Sequence, residues 1–369
     1  MSRDGHIIKR CFDVLSKYYQ NAPESIYLLA SRRAVNVASI KNDKDIEGIL
    51  SINFSPISIN QLFMDRLGVK IDEADLTGSK FSSLSSKVDY KRDLNDILIL
   101  ANKIRNKILE NARIERKEII NYFQSVGLSS SMQERVAIVD IGHQGTMQRS
   151  IDKLLSICSY GFYFATFDTV NQFLNDENFS AYYQNKISPR NRENDYMNHI
   201  LMFESIFLND SDSLCKFENK KPVFLETNEV ERKKFISSVH NAAVQFAEDF
   251  ASILTKNLIK VQLPAQEVVC PYLNFLKNPT PIDASIFNDV SFENKYSGRG
   301  IVKILSPSSR IWHEGSAFYL KKGNFIQNCI AKEVLKRTTY KKFKKFISEP
   351  KQFFSDSKNP FVRMLRIFY

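Results

Sequence analysis

The side chains best suited to chemistry lie in one short stretch, Val136-Ala-Ile-Val-Asp-Ile-Gly-His-Gln-Gly-Thr-Met-Gln148. An apolar run ends at Asp140, and Gly142 and Gly145 then enclose His143. This order predicts a strand, a tight loop and a helix, because glycine adopts backbone angles that other residues avoid. Asp140 and His143 are the candidate catalytic residues, since a carboxylate and an imidazole can exchange protons with a substrate.

The same loop is suited to an anionic ligand. Backbone N–H groups at the start of a helix attract phosphate, so Gly142, Gly145 and Thr146 are predicted to line a phosphate or phospho-sugar site. Gln148, one turn into the helix, is expected to point back at the loop. Asp140 would then bind a metal, act as a base or hold a sugar hydroxyl; the alternative is a capping acid in an ordinary strand–helix turn.

Two further pairs of charged residues are candidates for substrate binding. Arg32 and Arg33 follow an apolar run at residues 25–30 that predicts a buried strand, and guanidinium groups suit bidentate phosphate recognition. Asp4 or Gly5 is predicted to cap the first helix, with Arg3 within reach of a phosphate. Arginines exposed to solvent without a ligand are the alternative.

These candidates require an α/β fold, an open and mostly parallel Rossmann-like sheet whose carboxyl edge brings Asp140 and Arg32 together. The predicted domains are a Rossmann-like part at 1–215, a helix-rich part at 216–335 and a basic, aromatic tail at 336–369. Hydrophobic spacing predicts helices at residues 7–19, 34–40, 93–123 (with a break near 112 as an alternative), 228–255 and 264–277, and strands at 25–30, 136–141 and 161–167. Residues 216–225 are predicted to form a hairpin or an edge strand.

Composition narrows the classes of function. The 369-residue chain has no Cys-x-x-Cys pair among its five cysteines, which indicates a reducing cytoplasm. No apolar run is long enough for a transmembrane helix. The net charge of +11 favours anionic partners. Nucleic acid is not expected, because the positive charge is concentrated in the tail and no nucleic-acid-binding motif occurs. The common nucleotide-phosphate, dinucleotide, zinc-protease and serine-hydrolase motifs do not occur either.

Five segments taken together resemble a known family. They are similar to the region that follows the hydrolase-like domain in bacterial polysaccharide-biosynthesis proteins of the haloacid-dehalogenase-like group. In order, the segments are Ser2-Arg-Asp-Gly5, Tyr27-Leu-Leu-Ala-Ser-Arg-Arg33, Val139-Asp-Ile-Gly-His-Gln-Gly-Thr-Met-Gln148, Phe203-Glu-Ser-Ile-Phe207 and Trp312-His-Glu-Gly-Ser316.

The resemblance implies a role in O-antigen or capsule synthesis, by glycosyl or phosphoryl transfer on a nucleotide-sugar or lipid-linked glycan. It adds Glu204, Trp312 and Glu314 to the predicted substrate-binding residues; Trp312 would stack on a sugar ring or pack in a turn. Mg²⁺ is the cofactor considered, with no ligand residue assigned. The alternative function is a non-catalytic scaffold in the same pathway, docked to the membrane or to a glycosyltransferase.

Two departures from the family qualify these expectations. The nucleophile motif of haloacid dehalogenases is Asp-x-Asp, and Gly142 stands in place of the second acid, which argues against a phosphatase. A strand precedes the Arg-Asp-Gly segment in similar proteins, so the chain is expected to be an N-terminally shortened relative, a piece of a split gene or a sequence with a misassigned start.

The tail is expected to hold the protein at the inner face of the membrane.

Overall fold

A computed structural model gives the fold of residues 3–19, 21–129, 135–225, 230–257, 263–294, 300–306 and 311–319. By its internal contacts the chain forms two compact units. One is built from residues 1–269 and 291–302, and the other from residues 270–290 and 303–369. Among the described residues, no helix is both long and apolar enough to cross a lipid bilayer.

The fold is α/β and mostly helical. The helices, in chain order, are α1 (Gly5–Ser16), α2 (Arg32–Ser39), α3 (Asp43–Leu50), α4 (Ile59–Leu67), α5 (Glu73–Leu76), α6 (Tyr90–Lys103), α7 (Arg105–Ser125), α8 (Thr146–Leu155), α9 (Asp195–Asn198), α10 (Ile200–Phe207), α11 (Val230–Asn257), α12 (Ala265–Lys277), α13 (Pro281–Ser285) and α14 (His313–Tyr319). The strands are β1 (Ile57–Ser58), β2 (Lys87–Val88), β3 (Ala137–Asp140), β4 (Tyr160–Phe167), β5 (Phe179–Ile187), β6 (Ser213–Glu218), β7 (Lys221–Leu225), β8 (Ser291–Asn294) and β9 (Gly300–Lys303).

A parallel sheet of three strands, in the order β3-β4-β5, positions the chemically interesting loop. Asp140, the last residue of β3, pairs in register with Tyr163 of β4. Helix α8 connects β3 to β4, as parallel neighbours require. The strands predicted at residues 136–141 and 161–167 are therefore confirmed.

One face of this sheet packs on helices, and the other is open only in part, because α10 packs against the middle of β4. Ile138 of β3 joins a buried cluster with Ile151 of α8 and Phe123 of α7, together with residues of α2 and β6. Val139 and Phe162, which pair across β3 and β4, point the other way and remain 45% and 48% exposed. The alternation follows from the two-residue period of a strand.

A second buried cluster organises the helices between α2 and β3. It contains side chains from α3, α4, α6 and the first half of α7, including Leu50, Phe63 and Ile97. The helix predicted at residues 93–123 is interrupted, because Ile104 leaves helical backbone angles (φ −100°, ψ 20°) between α6 and α7. The break predicted near Ala112 is wrong, since Ala112 is buried inside α7.

The strand predicted at residues 25–30 does not form. This segment has no strand pairing in the described structure. The backbone N–H of Leu29 is instead bonded to the hydroxyl of Tyr122, at 2.9 Å. Ala30 is buried and Leu29 is partly buried against the same cluster, but Ile26 is 47% exposed, and a side chain takes the place of the strand partner.

The division into units differs from the predicted boundary at residue 216. That position lies inside β6, which pairs with β7 as the predicted hairpin. Leu214 and Phe217 of β6 belong to the same buried cluster as Ile138 of the sheet. The hairpin is therefore part of the first unit. The tail predicted at 336–369 lies outside the described residues.

Candidate functional site

The loop after β3 requires glycine at both predicted positions. Gly142 has φ +129°, and a Cβ there would collide with the carbonyl oxygen of Ala165 on β4. Gly145 has φ +71°, immediately before α8, and a Cβ there would meet the side chain of Leu174. The loop consequently turns tightly enough to hold His143 between β4 and the helices that follow. Helix α8 starts without a side-chain cap.

Asp140 forms a pair with Asp4, a residue distant in sequence. The two carboxyl groups hydrogen-bond to each other, and burial together with the nearby charge of Asp4 raises the pKa of Asp140 well above its usual range. Such a bond requires one of the two groups to carry a proton. Asp4, one of the two predicted N-cap residues, occupies the N-cap position of α1, but its side chain does not cap that helix.

His143 is buried, and its ring is fixed on three sides. The ring stacks on Phe167 with 4.7 Å between centroids. Its Nε2 lies 2.6 Å from the hydroxyl of Tyr196, and its Nδ1 lies 3.7 Å from Oε1 of Glu204. Burial, with a smaller effect of the Arg32 charge, lowers the pKa of His143 to about 3. The imidazole is therefore neutral at physiological pH.

Glu204, on α10, is the group whose protonation changes near neutral pH. Burial raises its pKa to about 7; the positive charge of Arg32 opposes that rise and the charge of Asp4 adds to it. A carboxyl group with this pKa can accept or donate a proton at pH 7. Asp4, Asp140, His143 and Glu204 thus form one cluster with Arg32 beside it.

The two neighbouring arginines have different surroundings. Arg32, the first residue of α2, is exposed, and its charge acts on His143 and Glu204. Arg33 instead forms a double hydrogen bond with Glu115 of α7, one at 3.0 Å, and donates to the carbonyl of Cys215 at 2.8 Å. Phosphate binding therefore remains a prediction for Arg32, whereas Arg33 links α2 to α7 and β6.

Arg3 and Gln148 hold the framework rather than a ligand. The guanidinium of Arg3 is buried and donates to Ser213 Oγ at 3.1 Å and to the carbonyl of Asn209 at 3.3 Å. Gln148 does not point back at the loop. Its amide donates to the carbonyl of Ser159 at 2.9 Å and accepts from the Tyr163 hydroxyl at 2.6 Å, which joins α8 to β4.

Trp312 and Glu314 belong to the second unit. The indole of Trp312 is fully buried, and its N–H donates to the carbonyl of Leu276 at 2.8 Å. Its ring packs against Phe275 and Phe287, with centroids 5.3 and 5.2 Å away. The sequence analysis left two interpretations of Trp312, stacking on a sugar ring or packing in a turn. The structure supports the second, because the ring is packed inside the protein. Glu314 lies in the first turn of α14.

Tyr196 was not predicted from the sequence. It lies on the four-residue helix α9, which Asn194 caps, and its side chain is 1% exposed. An aromatic residue beside a capping asparagine is common in ordinary structure, so the local sequence gives no signal of its contact with His143. His143 and Tyr196 are 53 positions apart in the sequence, and only the folded chain brings them into contact.

Comparisons with known proteins add no identification: neither a protein-family model nor a curated protein sequence matches this chain. Within the residues that the structure describes, no group of three or more His, Cys, Asp or Glu side chains is arranged to hold a metal ion. The site is thus defined by its own geometry, a cluster of three acidic side chains and a neutral imidazole beside an exposed arginine.

Proposed function

We propose that this chain is an enzyme of bacterial surface-polysaccharide assembly, acting by glycosyl or phosphoryl transfer on a nucleotide-sugar or lipid-linked glycan. The observation that carries the proposal is the convergence of Asp4, Asp140, His143 and Glu204 beside Arg32. An acid–base group active near pH 7 next to a guanidinium suits a reaction at a phosphate-bearing substrate. The substrate class comes from the sequence resemblance.

In this proposal Arg32 and the N-terminus of α8 bind the phosphate of the donor. Glu204 accepts the proton of an acceptor hydroxyl while that oxygen bonds to the glycosyl carbon or to phosphorus. The bond to the leaving oxygen breaks at the same centre, and the leaving group takes the electron pair. The proton shared by Asp4 and Asp140 is available to the leaving oxygen. The three parallel strands are, in the same proposal, the centre of a Rossmann-like sheet with the site at its carboxyl edge.

The test is a glycan analysis of cells that lack this chain. Re-expression of the unaltered chain should restore the surface glycan, and Asp140→Asn should not, because the nearly isosteric amide cannot share or release the carboxyl proton. Asp176→Asn is the matched control, since Asp176 is exposed and lies outside the cluster. A normal glycan in cells carrying a well-folded Asp140→Asn chain would contradict the enzymatic proposal.

A non-catalytic scaffold is the second candidate function, and the open face of the parallel sheet favours it. Val139, Phe162 and Tyr182 present 45%, 48% and 49% of their surface there. Adjacent exposed apolar side chains are a feature of interaction surfaces. In that case the glycan is lost on deletion of the chain but restored by the Asp140→Asn variant.

A further inference from the structure

Tyr196 is a buried phenol whose hydroxyl contacts an imidazole. Its hydroxyl lies 2.6 Å from Nε2 of His143, a short distance for such a pair. On the opposite side of the same ring, Nδ1 faces the carboxylate of Glu204 at 3.7 Å. Tyr196, His143 and Glu204 therefore form a row in which the middle ring contacts both ends.

The chemistry of a neutral imidazole determines the direction of these contacts. One ring nitrogen carries a proton and donates, and the other accepts. With the proton on Nδ1, the polar N–H points toward the Glu204 carboxylate, 3.7 Å away, and Nε2 accepts a hydrogen bond from the phenol. With the proton on Nε2, the lone pair of Nδ1 would face the ionised carboxylate, which is electrostatically unfavourable.

We infer that Tyr196 is a positioning residue: its hydroxyl donates to Nε2, keeps the proton of His143 on Nδ1, and so stabilises the ionised carboxylate of Glu204. The inference rests on the proposed function only in treating Glu204 as the acid–base group. The stacking of His143 on Phe167, at 4.7 Å and 11° between planes, keeps the ring in the orientation that both contacts need.

Other charges also act on Glu204. Arg32 of α2 favours its ionised form, and Asp4 opposes it. Since these charges remain when Tyr196 is changed, removal of its hydroxyl should shift the titration of Glu204 without abolishing it. The shift has a definite sign, because the ionised carboxylate loses support and the protonated form does not. Glu204 should bind its proton more tightly.

The experiment uses nuclear magnetic resonance on the full chain, with ¹⁵N-labelled histidine and carboxyl-¹³C-labelled glutamate. His143→Gln and Glu204→Gln identify the two resonances. At pH 8 the unaltered protein should show His143 protonated on Nδ1. In Tyr196→Phe, the Nε2 resonance should move to higher chemical shift as it loses its hydrogen bond. The proton affinity of Glu204 should rise by about three- to tenfold, up to the free energy of the hydrogen bond that His143 loses.

Tyr183→Phe is the matched control, since its ring packs 5.8 Å from that of Tyr196 in the same aromatic cluster. It should leave both resonances in place. Protonation of His143 on Nε2 in the unaltered protein would overturn the inference, and that measurement needs no variant. So would a folded Tyr196→Phe protein whose His143 and Glu204 signals match those of the control. Neither result depends on a substrate, so both are separable from failure of the proposed function.

Discussion

At the level of single residues, burial favours the uncharged form of both His143 and Glu204. Desolvation penalises the ionised form of each group. It therefore lowers the pKa of the imidazole to about 3 and raises the pKa of the carboxyl group to about 7. At neutral pH the imidazole is a fixed hydrogen-bonding partner, and the carboxyl group is the one that titrates.

The first residue-level prediction concerns the pH dependence of transfer. If Glu204 is the base, activity should rise as pH increases through about 7, because only the ionised carboxylate accepts a proton. His143 stays neutral throughout this range and should contribute no inflection. The measurement is the rate of glycan transfer by membrane extracts between pH 5.5 and 8.5, which bracket the transition by about 1.5 on either side. A flat profile would remove Glu204 from the role of base.

The second residue-level prediction concerns stability. A carboxyl group whose folded pKa is raised destabilises the protein as pH increases from its unfolded pKa of 4.5 through its folded pKa of about 7. At pH 8, Glu204→Gln should therefore increase the free energy of unfolding by up to roughly 3 kcal/mol. At pH 4 the gain should disappear. Urea unfolding at the two pH values measures both, with the exposed Glu177→Gln as control.

Residue types in the sequence identify candidate residues more readily than they identify the contacts of those residues. Asp140, His143 and Asp4 were chosen by residue type and by neighbouring glycines, and they lie together. Arg33 was assigned the same role as Arg32, although its actual partner is Glu115, 82 residues away. Adjacent residues on a helix point in different directions, so residue type alone cannot separate them.

At the level of elements, the glycine loop gives the sharpest prediction. Gly142→Ala should lower the free energy of unfolding by roughly 2 kcal/mol or more, because the new Cβ meets the backbone of β4 at a positive φ. Gly48→Ala is the matched change on α3, where nothing lies within 4 Å of the new Cβ. It should raise stability by roughly 0.5–1 kcal/mol, as expected for glycine in a helix. Thermal unfolding of both variants tests the pair.

Elements with strong periodicity were predictable, and elements defined by distant contacts were not. The spacing of apolar side chains gave β3, β4, the hairpin and α11 close to their observed ends. Residues 25–30 have the composition of a strand, but a strand also needs a backbone partner, and Tyr122 of α7 takes that place. A Rossmann-like sheet likewise depends on backbone pairing between distant strands, and it remains a prediction.

For the molecule as a whole, charge predicts attachment to an anionic surface. Six of the ten residues from 336 to 345 are Lys or Arg, with phenylalanines between and after them. Each basic residue near an anionic bilayer contributes roughly 1 kcal/mol. Sedimentation with anionic liposomes should carry the full chain down, less so as salt increases. Equal sedimentation after deletion of residues 336–369 would exclude the tail as the attachment.

The burial of Trp312 has a spectroscopic consequence. It is the only tryptophan in the chain, and it lies among Phe275, Phe287 and Leu276 of the second unit. Fluorescence excited selectively at tryptophan therefore monitors that unit and does not report on the unit that contains Asp140 and Glu204. Circular dichroism, by contrast, is dominated by the helices of the first unit. Recorded side by side during unfolding, the two signals distinguish a single cooperative transition from two independent ones.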